Sequence, residues 1–391
     1  MFCMTKLIDI TGKAISGEWG DDDETGNGIP VLRTTNFTND GVINYNNVVT
    51  RAIIKNNIEA KYLRKGDIII EKSGGSDKQP VGRVVFFDGE ENKYLFNNFT
   101  GLLRVKDTSI CYPRFLFYDL FHNYIIGGTI PFQNKTTGLH NLKTDDYVKR
   151  FEIELLPMER QMQIVSTLDK LQSIIAHRKQ QLEKLDELVK ARFVEMFGDP
   201  AINPNGYPIM AMSEIAEYWN GLTYKPEDVS EEGTVVLRSS NIQNMQLDFA
   251  DTVRVSCKIG DKKYVQDNDI LMCSRNGSAK LVGKVALIHD LQEPMSFGAF
   301  MMIIRSTYYP YLMTYFQLPA FRSQITTGAT TTINQITGNM LNKVLLPVPD
   351  MDTVNQFAAF VEKTNKSKVA VQKALDEAQL LFDSLMQEYF G

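Results

Sequence analysis

The run Asp67-Ile68-Ile69-Ile70-Glu71-Lys72 offers residue types a metal-dependent nuclease uses, two carboxylates to hold a divalent cation with an amine beside them. The same run recurs as Asp269-Ile270-Leu271-Met272-Cys273-Ser274, where no carboxylate follows the strand. The aspartate therefore reads in both places as the start of a strand after a turn, and the nuclease reading is set aside. No segment supplies the G-x-x-x-x-G-K-[ST] cradle of a nucleoside triphosphatase, and Gly26-Asn27-Gly28 precedes a strand instead of following one. Asn203-Pro204-Asn205-Gly206 reads as a linker turn, not as the N-P-P-Y motif of an adenine methyltransferase. His122, His140, His177 and His289 lie far apart, and Cys3, Cys111, Cys257 and Cys273 form no C-x-x-C pair. Neither a metal site nor a disulfide framework is indicated, so the thiols are expected to be buried or idle and the chain to be non-catalytic.

Hydrogen-bonding residues gather instead at a few points, each of which occurs twice. Arg33-Thr34-Thr35-Asn36 returns as Arg238-Ser239-Ser240-Asn241, and Lys72-Ser73-Gly74-Gly75-Ser76-Asp77-Lys78 as Ser274-Arg275-Asn276-Gly277-Ser278-Ala279-Lys280. A later polar loop carries Asn134 and Lys135 in the first copy, Thr332 and Asn334 in the second. Hydroxyls, amides and backbone N–H groups meet phosphates, and arginine or asparagine can read a base edge with two hydrogen bonds. The candidate DNA contacts are thus Arg33, Thr34, Thr35, Asn36, Lys72, Ser73, Gly75, Lys78, Asn134 and Lys135, with Arg238, Ser239, Ser240, Asn241, Arg275, Asn276, Ser278, Lys280, Thr332 and Asn334. An alternative for Thr34 and Ser239 is that they end a strand and cap a turn, and the glycine loops could be plain solvated loops. The net charge of −5 argues against coating nucleic acid through bulk charge, but not against a reader with local basic loops. Acid concentrates elsewhere, as in Asp21-Asp22-Asp23-Glu24.

The elements that must hold these loops are themselves duplicated. Gly28-Ile-Pro-Val-Leu-Arg33 matches Gly233-Thr-Val-Val-Leu-Arg238, Tyr62 to Ile69 matches Tyr264 to Leu271, and Val81-Gly82-Arg83 matches Val282-Gly283-Lys284. Tyr112-Pro113 and Tyr309-Pro310 each open an aromatic-rich helical stretch, and each copy closes on a strand ending in Leu156-Pro157 or Leu346-Pro347. With 391 residues, the chain has room for two or three domains. We divide it into globular domains over residues 1–156 and 199–349, each followed by a long helix over 157–198 and 350–391. The fold class expected is mixed α/β.

Each helix carries an apolar seven-residue period, the mark of a coiled-coil seam. In the first, the seam is Ile164, Leu168, Leu171, Ile175, Leu182, Leu185 and Val189, broken by Arg178 and Arg192; in the second, Phe357, Val361, Val371, Leu375, Phe382 and Leu385, broken by Thr364 and Lys368. A separation of 193 residues relates Ile164 to Phe357 and Met196 to Tyr389 alike. Two helices that merely pack on their own domains are the alternative. Against that, residues 160 to 197 span roughly 57 Å, more than such a domain easily covers. The second domain leaves from the end of the first helix and returns into the start of the second, and domain termini usually lie close together, so the helices should pair antiparallel with one domain at each end of a rod.

Taken in order, the paired G-x-x-V-L-R-[ST]-[ST]-N strands, the G-D-I and N-D-I runs before a glycine loop, the Leu-Pro entrances and the Phe197-Gly198 and Phe390-Gly391 helix ends resemble the specificity subunit of type I restriction-modification enzymes over essentially the whole chain. Met158-Glu159-Arg160-Gln161 fits the family's spacer entrance, while Val348-Pro349-Asp350-Met351 departs from it. The resemblance implies two target-recognition domains, each reading half of a split double-stranded DNA site, set apart by an antiparallel pair of spacer helices. It further implies two methyltransferase subunits and restriction subunits as partners, with S-adenosylmethionine, ATP and Mg²⁺ used there and no cofactor in this chain. A two-ended reader implies half-sites about one helical turn, roughly 34 Å, apart, and unequal loops imply unequal half-sites. No membrane association is expected, and the chain reads as cytoplasmic.

Overall fold

The computed structural model describes residues 3–54, 58–136, 139–325 and 334–391. They form two compact units, Met1–Arg178 with Ala374–Gly391, and Lys179–Lys373. The two long helices run over Met158–Phe197 and Met351–Phe390, 40 residues each. The globular parts preceding them repeat one set of sheets.

In the first unit an antiparallel four-stranded sheet has the order Ile15–Ser16, Thr100–Leu103, Ile68–Glu71, Val84–Phe86. In the second, Glu217–Asn220, Met301–Arg305, Ile270–Cys273 and Val285–Leu287 repeat that order. The central strands are covered on both faces: Ile68, Ile69 and Ile70 are fully buried, as are Ile270, Leu271, Met272 and Cys273. This explains runs of consecutive apolar residues where a half-exposed strand would alternate. A second sheet holds the G-x-x-V-L-R strand, Ile29–Leu32 or Thr234–Leu237, which pairs in parallel with Leu95–Phe96 or Met295–Phe297. The closing strand pairs antiparallel with the strand that opens its domain, Glu152–Leu155 on Cys3–Lys6 and Leu345–Pro347 on Ile209–Ala211. The chain therefore leaves each globular part beside where it entered.

The aromatic helical stretches differ. In the first unit Pro113–Ile125 is one helix started by proline at its first turn. In the second, Tyr309–Tyr315 stops and Pro319–Ile325 begins, because Pro319 has no N–H to continue the first helix and suits the start of another.

Within the second unit the long helices run antiparallel: Asp186 bonds Lys368, the Arg192 guanidinium lies over the Phe360 ring, and Phe193 packs on Phe357. Within the first, Arg160 at the start of one helix lies over Tyr389 at the end of the other. The seam positions are buried or half-buried throughout, with Ile164, Leu168, Leu171, Ile175, Phe357, Leu375 and Phe382 buried. Thr364 is buried as well, its hydroxyl donating to the Phe360 carbonyl one turn back. Near the end of the first helix the period gives way: Phe193 and Phe197 are buried, and Arg192 is not. There the helix faces its own globular domain, where both rings join Tyr311 and Phe357 in one aromatic cluster.

Asp119 sits on the Pro113–Ile125 helix and is only 9% exposed. Burial pushes its carboxyl up from 3.8 to about 8. The folded unit keeps the proton that the unfolded chain releases above about pH 4, so this contribution to stability is full in acid and is lost as pH rises toward 8. Asp119→Asn should remove that loss, so the variant's melting temperature should gain on the parent's steadily between pH 4 and 8. Parallel melting curves over that window would contradict the assignment. Cys111 and Cys273 are buried free thiols, Cys111 pushed up to about 12 by burial.

Candidate nucleic-acid interface

The duplicated aspartate anchors the site in each copy. Asp67 accepts from the Arg64 N–H at 2.7 Å, closing the turn before its strand, and Asp269 accepts from the Gln266 N–H at 2.8 Å. An arginine at or just past the end of the neighbouring strand grips each carboxylate with two bonds: Arg104 at 2.7 and 2.6 Å, Arg305 at 2.6 and 2.7 Å. Glu71, the other candidate metal carboxylate, is 3% exposed and takes two bonds from Arg83, which reaches on to the Thr34 and Phe37 carbonyls. These carboxylates are committed to arginine and hold the turn and loops in place. In the second copy Lys284 does a smaller version of this work, donating to the Ile242 carbonyl at 2.8 Å.

From this frame the polar loops emerge. Ser73–Gly75 adds as an edge to the hairpin Gln133–Thr136 and Leu139–Leu142, so that Ser73 and Asn134 both face Asn141 in register. Arg275–Asn276 pairs likewise with Asn334–Gln335. Groups more than fifty residues apart in sequence thus form one surface in each copy. In the second copy the Arg275 guanidinium donates to Gln335 Oε1 at 2.7 Å, Asn276 donates to Ser239 Oγ at 3.3 Å, and Asn334 donates to the Gly277 carbonyl. Arg275, Ser278, Lys280 and Asn334 are exposed, as are Thr35, Lys78 and Asn134; Ser240 is half-buried. Lys135 lies in its hairpin strand, and Thr332 lies outside the described residues.

Lys72 lines a polar cavity of about 550 Å³ with Ser16, Ser73, Asn98, Phe99 and Asn141. Its ammonium donates to Ser16 Oγ at 3.1 Å, and desolvation lowers its pKa, an effect opposed by Asp145. The recess is also lined by Asp145 and Asp146, so the partly desolvated Lys72 ammonium meets an acceptor oxygen there beside two carboxylates.

Five expected contacts have a different task. Asn36 and Asn241 are 2% and 1% exposed. Each accepts from the N–H of the preceding arginine and donates to two carbonyls, Asn44 and Asn46 or Asp248 and Asp251. Their amides are spent on closing the loop after the strand, as the capping alternative had it for their neighbours. Gly75 is buried, and a Cβ there would stand 2.5 Å from the Val81 nitrogen, so glycine serves packing at that point. Arg33 and Arg238 are half-buried and bond the loop that follows, at the Asn47 carbonyl and at Asp251.

Sequence reading passed over Arg83, Arg104 and Arg305, though each arginine of the ion pairs follows its aspartate at almost equal spacing in the two copies, 37 and 36 residues. Among the described residues no cluster of histidine, cysteine and carboxylate side chains is arranged to hold a metal ion, and no helix is long and apolar enough to cross a membrane.

Comparison with known proteins places this geometry. Residues 2–187 match the family model of the type I restriction modification DNA specificity domain. The specificity subunit of the type I restriction enzyme EcoKI of Escherichia coli (strain K12) is 27% identical over 157 residues, 38% of this chain and 34% of that protein. That of StySPI from Salmonella potsdam is 28% identical over 158 residues, with the same coverage. The aligned stretch spans about a third of the length of these relatives. Among solved structures, the S subunit of a type I restriction-modification system from M. genitalium aligns with 100% of this chain and 96% of its own, at a TM-score of 0.58 and 14% identity. A chain from a study of complex assembly and conformational transition of the type I R-M system aligns with 100% of this one and 97% of its own, at 0.54 and 16%. At these identities the likeness is one of fold, two globular parts each followed by a long helix.

Proposed function

We propose, from the match of residues 2–187 to the specificity-domain family model, that this chain is the non-catalytic, DNA-reading subunit of a type I restriction-modification complex in the cytoplasm. Each globular domain reads one half of a bipartite, asymmetric site on double-stranded DNA. The observation that carries this reading is the surface built twice on one frame with different polar contents: Lys72, Ser73 and Asn134 in one copy, Arg275, Asn276 and Asn334 in the other. A common frame gives the two halves one docking geometry, and different side chains give them different bases.

The long helices serve as spacer and as docking surface for two methyltransferase subunits, to which restriction subunits add. Apolar side chains that the helices leave exposed support this, among them Ile174, Leu188, Val194, Val369 and Leu380. So does a groove of about 800 Å³ in the second unit, where Val189, Met313, Ala358 and Val361 form an apolar floor. S-adenosylmethionine, ATP and Mg²⁺ belong to those partners.

Arg275→Ala and Lys78→Ala, each assembled with the modification subunits, should weaken binding to the cognate duplex. Where the lost contact is to a phosphate, the slope of log K against log salt should become shallower by about 1. Titrations from 50 to 200 mM salt check it. A chain that only binds protein would show unchanged affinity and slope in both variants.

A further inference from the structure

Phe99, Phe249 and Phe300 are the exposed phenylalanines among the described residues, 52%, 47% and 59% accessible. Two of them are the same position of the repeat. Phe99 lies within the tight turn in which the Thr100 N–H donates to the Asn97 carbonyl, and Phe300 within the turn in which the Met301 N–H donates to the Gly298 carbonyl. Each turn directly enters the strand that leads to the arginine gripping the buried aspartate. Single exposed apolar residues are ordinary on protein surfaces. Recurrence here is not, because the turn around the ring has diverged: Asn97-Asn98-Phe99-Thr100 against Gly298-Ala299-Phe300-Met301.

The backbone that carries each ring is tied to the loops of the polar surface. The Phe99 carbonyl accepts from the N–H groups of Lys72 and Ser73 at 2.8 and 3.2 Å, and the Phe300 carbonyl from those of Ser274 and Arg275 at 2.9 and 3.1 Å. Phe99 lines the Lys72 cavity, and the Arg275 guanidinium sits 5.7 Å from the Phe300 ring centre. An exposed aromatic ring on a fixed backbone, flanked by a cation and by amide and hydroxyl groups, is the combination that engages nucleic-acid bases, by stacking on their faces or wedging between them.

We propose that Phe99 and Phe300 are a matched pair of base-contacting rings, one per half-site, that engage the base stack in the same way whatever its sequence, while the divergent loops beside them supply base identity. The inference rests on the DNA-reading function proposed above. Every base has an apolar face, so one aromatic residue serves two half-sites of different sequence. A base-identifying role would call for different residues in the two copies.

The test uses the full complex with modification subunits. Phe99→Ala and Phe300→Ala should each weaken cognate binding about 5- to 100-fold with an unchanged salt slope, since no charge is lost. Phe99→Tyr and Phe300→Tyr should stay near wild type. With p-benzoylphenylalanine at position 99 or 300, illumination should crosslink the complex to nucleotides of one half-site from position 99 and of the other from position 300. The alanine variants are surface changes, and gel filtration of the assembled complex verifies that they still fold and assemble. If alanine leaves affinity unchanged while Arg275→Ala still weakens binding, the inference fails and the DNA-reading function stands. Crosslinks to a partner subunit, with the loss confined to assembly, would make the rings a protein contact and overturn the inference. A wild-type complex that binds no specific DNA removes both readings together.

Discussion

Arg104→Met is expected to destabilise the first unit by about 3 kcal/mol, because it leaves the Asp67 carboxylate, 2% exposed, without its counter-charge. Two of the four bonds Arg104 makes go to that carboxylate, and the others go to the Ala60 and Tyr62 carbonyls, so the loop before the strand loosens as well. The Arg64 N–H still bonds the carboxylate, and water can reach the space left by the guanidinium, which places the cost at the low end of what broken buried pairs show. For a unit of this size, about 3 kcal/mol corresponds to a fall in melting temperature of roughly 6–12 °C. Arg305→Met should cost the second unit less, since Arg305 is 35% exposed against 22% for Arg104, and its loss exposes Asp269 more readily to solvent. Replacing both partners, as in Asp67→Asn with Arg104→Met, should recover part of the loss, because no buried charge remains. Denaturant melts of the three variants check this. A single Arg104→Met within about 0.5 kcal/mol of wild type would show that the pair does not hold the frame.

The parts of this fold that were legible in the sequence are those written locally or twice. The paired strands, the Leu-Pro exits and both long helices follow from apolar spacing and from the repeat itself, and the helix spans Met158–Phe197 and Met351–Phe390 agree with the seven-residue period. The period misjudged the end of the first helix, where Arg192 occupies a seam position while Phe193 is buried, because a heptad describes a helix facing a helix and this turn faces Tyr311 of a globular domain. Sequence placed Asp67 and Asp269 correctly at strand starts, but their partners lie 37 and 36 residues on and only strand pairing reveals them. Asn36 and Asn241 show the reverse error. Residue type alone suggested base readers, whereas the three-residue turn Thr34–Asn36 or Ser239–Asn241 draws the amide inward, where it donates to backbone carbonyls of the loop that follows. The meeting of Ser73 with the Asn134 hairpin, and of Asn276 with Asn334, depends on cross-strand register, which no local pattern encodes.

The second large effect concerns specificity. If each recognition domain reads its own half-site, exchanging residues 206–345 for the corresponding domain of another specificity subunit should replace one half of the target and leave the other intact. The exchange is structurally mild. Its boundaries fall in the turn at Gly206 and within the closing strand Leu345–Pro347, which pairs beside the point of entry, Ile209–Ala211. The residues of the long helices and the first unit's Lys72 and Asn134 surface are unchanged, and the incoming domain has to supply the contact that Tyr311 makes with Phe193 and Phe197. The expected change is large, because specific sites are typically bound 10³ to 10⁷ times more tightly than unspecific ones. The measurement is a map of methylated adenines in cells carrying the chain with its modification partners, before and after the exchange. The two-reader account predicts a bipartite motif in which one half changes and the other half is retained. A motif altered in both halves, or in neither, would contradict it.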